Sequence, residues 1–332
     1  MGRVQIGHGG GGRLMHQLIH EYIAPAFNLR ELNDSAVVEG LPAGRVALTT
    51  DSYVISPYFF PGGDIGTLAV CGTVNDLAMA GARPLYMTAG FILEEGLPIG
   101  DLERILASMR SAAEEVGVAV VAGDTKVVEK GKGDGIYINT AGVGLVREAV
   151  ALSPEQIRPG DRVVISGSIG NHGMAVMAER NGIHFDPPLL SDVGPLHRLV
   201  DAMLSSTQDI RVMRDPTRGG VATTLKEFAN ESGCCLAIRE DALLVKPGVQ
   251  GACDLLGLDP LYVANEGVLL AVVAPSVAEE LVAVMRRTPA GADARIIGEV
   301  RDAPRRTVLL RTAVGGNRVV DMISGEQLPR IC

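Results

Sequence analysis

The sequence predicts a mixed α+β (α/β) protein built as two domains followed by a short tail. Its 332 residues exceed the ~250–300 at which one hydrophobic core stops growing. Strand-like apolar runs alternate with helical periodicity along the whole chain. From Asp321 the residues become polar and punctuated, closing on Leu328-Pro329-Arg330-Ile331-Cys332. These observations place an N-terminal domain at residues 1–150, a C-terminal α/β domain at 151–320 and a flexible tail at 321–332.

Taken in order, Val4–Ile6 reads as a short strand and Gly7–Gly12 as a glycine loop broken by His8. Arg13–Phe27 follows as a helix with Leu14, Leu18 and Tyr22 on one face. Val46–Ser56 alternates as a strand, Tyr58–Gly66 is a Pro/Gly-rich loop, and Thr67–Gly81 is a small-residue helix closed by Gly81 before Pro84. Tyr86–Leu93 reads as a strand, Ile99–Gly117 as an amphipathic helix, Val118–Ala122 as a buried strand and Ile136–Val146 as another. Ser153–Gly160 is a linker turn into a strand at Asp161–Ser166. Helices follow at His172–Arg180, Pro195–Leu204 and Gly220–Ser232, with a strand at Gly267–Val273.

A net charge of −9 argues against a nucleic-acid groove and an anionic membrane surface. It leaves room for a nucleotide, since bound Mg²⁺ reverses the local sign. Five scattered cysteines without a CxxC pair read as reduced thiols. Neither a spanning run nor a signal peptide is evident, so the expected location is the cytoplasm.

Several segments carry chemistry. The glycine loop formally matches a dinucleotide fingerprint, but the polar stretch Asn28–Asn33 cannot supply the second Rossmann strand. A loop folding its N–H groups over phosphates is the better reading. Acids recur at Asp34, Asp51, Asp64, Asp76 and Asp124. Asp76 is the most informative, because a lone carboxylate in a helix of Val, Leu, Ala and Met needs a partner or a cation. Mg²⁺ takes such hard oxygen ligands and shares them with phosphates.

Lys126 stands two residues after Asp124, where the strand pattern ends, and suits a phosphate or polarised oxygen. In Arg214-Asp215-Pro216-Thr217-Arg218-Gly219-Gly220, Thr217 is a candidate cap and Arg218 a fork for an oxyanion. Glu266 sits at a strand entrance, and His172 opens a helix as a candidate ligand or base. The terminal Cys332 is a thiol on a short tail, suited to carrying a group between sites once a cation such as Lys126 favours its thiolate.

Together these segments resemble the HypE family of hydrogenase-maturation proteins, within the aminoimidazole-ribonucleotide synthetase-like (PurM-like) superfamily. The resemblance runs through Ile6–Gly12, Thr50–Glu95 with TDSYVISPYFFPGG, Ala122–Gly144, Arg214–Gly220, Leu256–Gly267 and the ending LPRIC. It implies a homodimer whose N-terminal domains complete a β-barrel, with ATP at that interface. It also implies ATP contacts from Gly9, Gly10, Gly11, Asp64, Thr73, Asn75, Asp124, Thr125 and Arg218, and Mg²⁺ ligation by Asp34, Asp51, Asp76 and Asp124. A HypF-type carbamoyltransferase would load Cys332. ATP would then phosphorylate the carbamoyl oxygen, leaving a protein-bound thiocyanate, and the cyanide would pass to iron on a HypC–HypD scaffold. Glu266 is assigned as the base near the sulfur and Lys126 as the group polarising the oxygen. The rival readings are another ATP-using superfamily enzyme, such as selenophosphate synthetase or thiamine-monophosphate kinase, and a non-catalytic scaffold docking partners through the tail.

Overall fold

Two sheets organise the fold, and each draws its strands from one half of the chain. The computed structural model describes residues 2–10, 13–29, 36, 38, 42–322, 328 and 330–332. Gly11 and Asp34 lie outside the described residues.

The N-terminal half opens with a single bridge, Arg3 to Pro98, in place of the expected strand at Val4–Ile6. Ile6–Gly9 is a turn of 3₁₀ helix. The expected helix from Arg13 to Phe27 divides into α1 (Arg13–Leu18), a π-helical stretch at Ile19–Ile23 and α2 (Ala24–Ala26). Pro25, with no N–H to donate, stands in the first turn of α2.

Next come β1 (Arg45–Tyr53), the short pair β2 (Phe59–Phe60) and β3 (Gly63–Asp64), α3 (Ile65–Met79), β4 (Ala82–Glu94), α4 (Ile99–Val116), β5 (Ala119–Val128) and β6 (Ile136–Val146). The four long strands form one sheet in the order β1-β6-β4-β5. Alternation along β1 and its neighbours sends Tyr53, Met87, Phe91, Val120 and Ile138 inward against α3 and α4. Each such buried apolar side chain contributes about 1.5–3 kcal/mol. The opposite face stays open, leaving Leu48 75% exposed.

Helix α3 is apolar all round because it is packed all round: the sheet lies on one side, α4 on another, and the C-terminal half beyond. Only Thr67 and Asp76 escape full burial. Asp64 caps the helix by accepting the N–H of Thr67 at 2.9 Å.

The C-terminal half contains β7 (Arg162–Ile165), α5 (Asn171–Arg180), α6 (His197–Ser206), β8 (Ile210–Arg214), α7 (Gly220–Ser232), β9 (Cys235–Arg239), α8 (Pro247–Leu256), β10 (Leu270–Val273), α9 (Ala278–Met285), β11 (Arg295–Arg301), β12 (Thr307–Arg311) and β13 (Asn317–Val320). Its seven strands are ordered β13-β12-β9-β11-β7-β10-β8. One face is covered by α7 and the other, in part, by α6 and α9.

Three readings of local structure change. The strand expected at Val118–Ala122 extends to Val128, so Asp124 and Lys126 lie inside β5 and not at its mouth. Thr217 does not cap α7; the cap position is Gly219, and Gly219 and Gly220 have φ of +76° and +60°. A Cβ on Gly220 would stand 2.5 Å from the Leu261 carbonyl oxygen, so this turn admits only glycine. Strands β8 and β9 and those after α9 were not anticipated, since their short segments mix arginine with the apolar residues, and neither were helices α8 and α9.

Candidate functional site

The site lies in the cleft between the two halves, and the last residues of the chain are seated in it. Ile331 is buried against the N-terminal core, and Cys332 packs beside it. The seat is made largely by backbone. Val54 N–H donates to the Cys332 carbonyl at 3.2 Å and Ser56 N–H to that of Arg330 at 3.4 Å, so the ending runs antiparallel to the segment after β1.

Two side chains of α5 complete the seat. Arg180 donates to the carbonyls of Ser56 and Arg330, each at 2.7 Å. His172 Nε2 donates to the Ile331 carbonyl at 2.8 Å, while its Nδ1 lies 2.8 Å from the Ser191 hydroxyl. Ser191 Oγ accepts from the N–H of Val193, which directs its own proton to Nδ1 and fixes the tautomer. Burial lowers the imidazole to about 4, so it is neutral at physiological pH. His172 is therefore a tail contact; no other polar group is left on it for a ligand. Outward of these, Arg330 pairs with Asp134.

Beside the seated thiol stands Glu266, 3% exposed, whose Oε1 has no hydrogen-bond partner among the described residues. Burial first, then the charges of Asp215, Asp192, Asp51 and Asp76, push its carboxyl well above the usual range. Burial and the Glu266 charge likewise raise the Cys332 thiol, against the pull of Arg218. Arg218 is thus the cation that acts on the sulfur, in the place expected of Lys126.

A cavity of about 590 Å³ is lined by Thr49, Asp76, Arg214, Asp215, Thr217 and Arg218, among others, and Arg218, which acts on the Cys332 sulfur, links it to the tail. Asp76, the one acid α3 exposes, accepts from Thr49 Oγ1 at 2.7 Å. Burial and then the Asp51 charge raise its carboxyl. Asp215 is pushed up to about 7 by burial, then by Asp76. These acids repel one another, and a cation among them removes that repulsion. Among the described residues no three His, Cys, Asp or Glu side chains converge to hold a metal ion alone. Mg²⁺ needs fewer, since it completes its shell with phosphate oxygens and water, and Asp51 with Asp76 meets that smaller requirement.

The structure separates the other expected residues. Asp51 pairs with Thr140 on the inner row of the sheet, whereas Asp124 pairs with Gly90 opposite Asn139, one residue out of phase. Asp124 and Lys126 therefore project from the open face, where Lys126 Nζ holds both carboxylate oxygens at 2.7 Å. Gly9 packs onto the same strand, with a virtual Cβ 2.6 Å from the Val127 nitrogen, and Gly10 closes the 3₁₀ turn. Asp64 is occupied by Thr67 and by Ser108 Oγ. Thr73 is buried and bonds the Thr140 hydroxyl. Asn75 ties the halves together, donating to the Gly194 carbonyl at 3.1 Å and accepting from Leu196 N–H at 2.8 Å. Thr125 is buried in β5.

Comparison with known proteins identifies the family. Residues 32–146 match the N-terminal domain model of the AIR synthase related proteins and residues 158–311 the C-terminal one. The carbamoyl dehydratase HypE of Cupriavidus necator is 54% identical, covering 100% of this chain and 95% of that protein. The chain belongs to the HypE carbamoyl dehydratase family. Solved HypE structures share its two-domain fold. A crystal structure of the hydrogenase maturation protein HypE in complex with ATP is 46% identical, covers 99% of both chains and superposes with a TM-score of 0.94. A HypE–HypF complex contains a chain 48% identical, with TM-score 0.81, covering 92% of this chain and 99% of that one. Membership of the HypE family makes the chain a dehydratase of hydrogenase maturation. No helix among the described residues is long and apolar enough to cross a membrane.

Sequence reasoning missed Asp192, Asp215, Ser191 and Arg180. Asp192 is partly buried, its Oδ2 has no partner among the described residues, and burial raises its carboxyl to about 6 against the N–H groups of Glu266, Gly267 and His172. Asp215 was visible in RDPTRGG but was overshadowed by Arg218. Nothing local marked Ser191, or Arg180, which holds carbonyls more than a hundred residues away in the chain.

Proposed function

We propose that this enzyme dehydrates a carbamoyl group carried on Cys332 at the expense of ATP, leaving a protein-bound thiocyanate. The observation that supports the reading is the seating of Cys332 within electrostatic reach of the buried Glu266 carboxyl, whose Oε1 has no partner among the described residues, and of Arg218, which lines the acidic cavity. The carbamoyl oxygen attacks the γ-phosphorus and ADP departs, forming a C–O–P bond. Loss of both N–H protons then drives cleavage of the C–O bond, and phosphate leaves with the oxygen. Glu266 in its ionised form accepts a proton at the nitrogen, and burial, by raising its pKa, makes that carboxylate the stronger base. Arg218, with no partner of its own among the described residues, binds phosphate oxygens.

Asp51 and Asp76 would hold Mg²⁺, which neutralises phosphate charge when bound. The solved HypE–ATP complex supports the nucleotide. Burial raises the thiol so strongly that the seated sulfur is a poor nucleophile, which favours loading while the tail is outside the cleft. A HypF-type carbamoyltransferase is the loading partner, supported by the HypE–HypF complex. A HypC–HypD scaffold carrying iron is the acceptor of the cyanide.

We assign the open sheet face, with Val46 52%, Leu48 75% and Ile92 44% exposed, to a homodimer in which a second copy closes the barrel. Asp124 and Lys126 on that face then serve the partner's site. Intact-mass analysis after loading and ATP addition tests the chemistry. Wild type should lose the mass of one water, Cys332→Ala should never be loaded, and Glu266→Gln should stay carbamoylated. Full dehydration by Glu266→Gln would remove Glu266 from the mechanism.

A further inference from the structure

Helices α6 and α9 cover only part of one face of the seven-stranded sheet, and the uncovered part is carpeted with arginine. Alternation sets Arg162 of β7 on the same face as Val164, which packs under those helices. From there one row runs Arg162, Glu299, Ala237 and Leu309 across four adjacent strands. Arg301, Arg239 and Arg311 flank it, and Arg286 and Arg295 close the side towards α9, around an open groove of about 770 Å³.

The charges here are not balanced. Six arginines face two glutamates, Glu279 and Glu299, in a chain of net charge −9. Glu299 is shared between Arg162 and Arg301, at 3.3 and 3.0 Å. Arg239 and Arg311 are direct register partners on neighbouring strands. Like charges in that position destabilise a sheet unless an anion lies between them. Among the described residues Arg239 reaches only the Asp241 carboxylate, at 3.8 Å, and Arg311 has no carboxylate partner.

We propose that this face is a docking site for an acidic, extended segment of a partner protein. Five of the six arginines are spread over four strands spaced about 4.8 Å apart, too widely to converge on one phosphate. Carboxylates on alternate residues of an extended chain recur about every 6.8 Å, so three of them span the same width. The guanidinium fork pairs bidentately with carboxylate, and Ala237 and Leu309 provide an apolar floor for the intervening residues.

The probe is a fluorescein-labelled dodecapeptide of alternating Glu and Ser, titrated against the full chain by anisotropy. Binding should weaken several-fold between low and moderate salt. The triple variants R239E/R301E/R311E and R239Q/R301Q/R311Q should lose at least tenfold in affinity while keeping wild-type thermal melting and dehydration. The control R104E/R110E, on α4, should bind as wild type does. The proposal falls if wild type ignores the peptide, or if the control weakens equally. It also falls if inorganic tripolyphosphate or a single-stranded oligonucleotide outcompetes the peptide at equal charge, or if light scattering shows the face occupied by a second copy of the chain.

Discussion

Replacing His172 with Phe should release the tail. The Nε2–H to Ile331 carbonyl bond is 2.8 Å long and buried, and the ring packs edge-on against Phe60 with centroids 5.3 Å apart. Phe keeps the ring's volume and removes the donor, leaving a buried carbonyl unsatisfied at a cost of about 1–3 kcal/mol. If that cost falls on the seated state, the fraction of chains with the tail out rises about 5- to 150-fold. Iodoacetamide followed by intact-mass measurement reads this fraction directly. Cys71, Cys234, Cys235 and Cys253 are buried, so the first adduct reports Cys332. The seated thiol, pushed up by burial and by Glu266, should react only through the open state. His172→Phe should therefore alkylate at least fivefold faster while folding and loading normally. A rate within twofold of wild type in a folded variant would refute the clasp. So would a wild-type rate equal to that of a free Leu-Pro-Arg-Ile-Cys peptide.

Other outcomes follow from the same geometry. Lys126→Ala and Glu266→Gln chains should each be inactive alone, yet a mixed dimer should dehydrate cargo on the Lys126→Ala chain, because one of its two sites is then complete; inactivity of the mixture would show that Lys126 does not act across the interface. Asp215→Asn should raise thermal stability at pH 8 and not at pH 4. The folded carboxyl ionises near 7 against an ordinary 3.8, so ionisation costs the fold stability progressively as pH rises between those values, up to about 4 kcal/mol by linkage. An equal change in melting temperature at both pH values would contradict this. The same variant should bind Mg²⁺–ATP more weakly in calorimetry, since a carboxylate beside Asp76 is lost.

Much of the site was legible in the chain because local chemistry announced it. Asp76 stood out as a charge in an apolar helix, and the structure makes it the acid that α3 turns to the cavity. Glu266 was marked by its place before a strand, and Cys332 by its position at the end of LPRIC. What the chain left open was phase. Asp51 and Asp124 read alike as acids in strand-like surroundings, but a β-strand alternates its faces, so one residue of register sends a side chain to the other side of the sheet. No single segment carries that information, because register is settled by hydrogen bonding to a neighbouring strand.

The sequence by itself determined the two-domain plan, the helices α3, α4, α5 and α7, and the residue types that carry the chemistry. These follow from periodicity, glycine punctuation and the cost of a lone buried charge, all of which act within a few residues of the chain. Only the tertiary structure decided which of those residues meet. It placed Lys126 on the open face away from Glu266, turned Asn75 into a brace between the halves, and recruited His172 and Arg180 to hold a carbonyl more than a hundred residues away. Such pairings arise when distant segments bury their polar groups against one another, and burial of that kind depends on the packing of the whole fold.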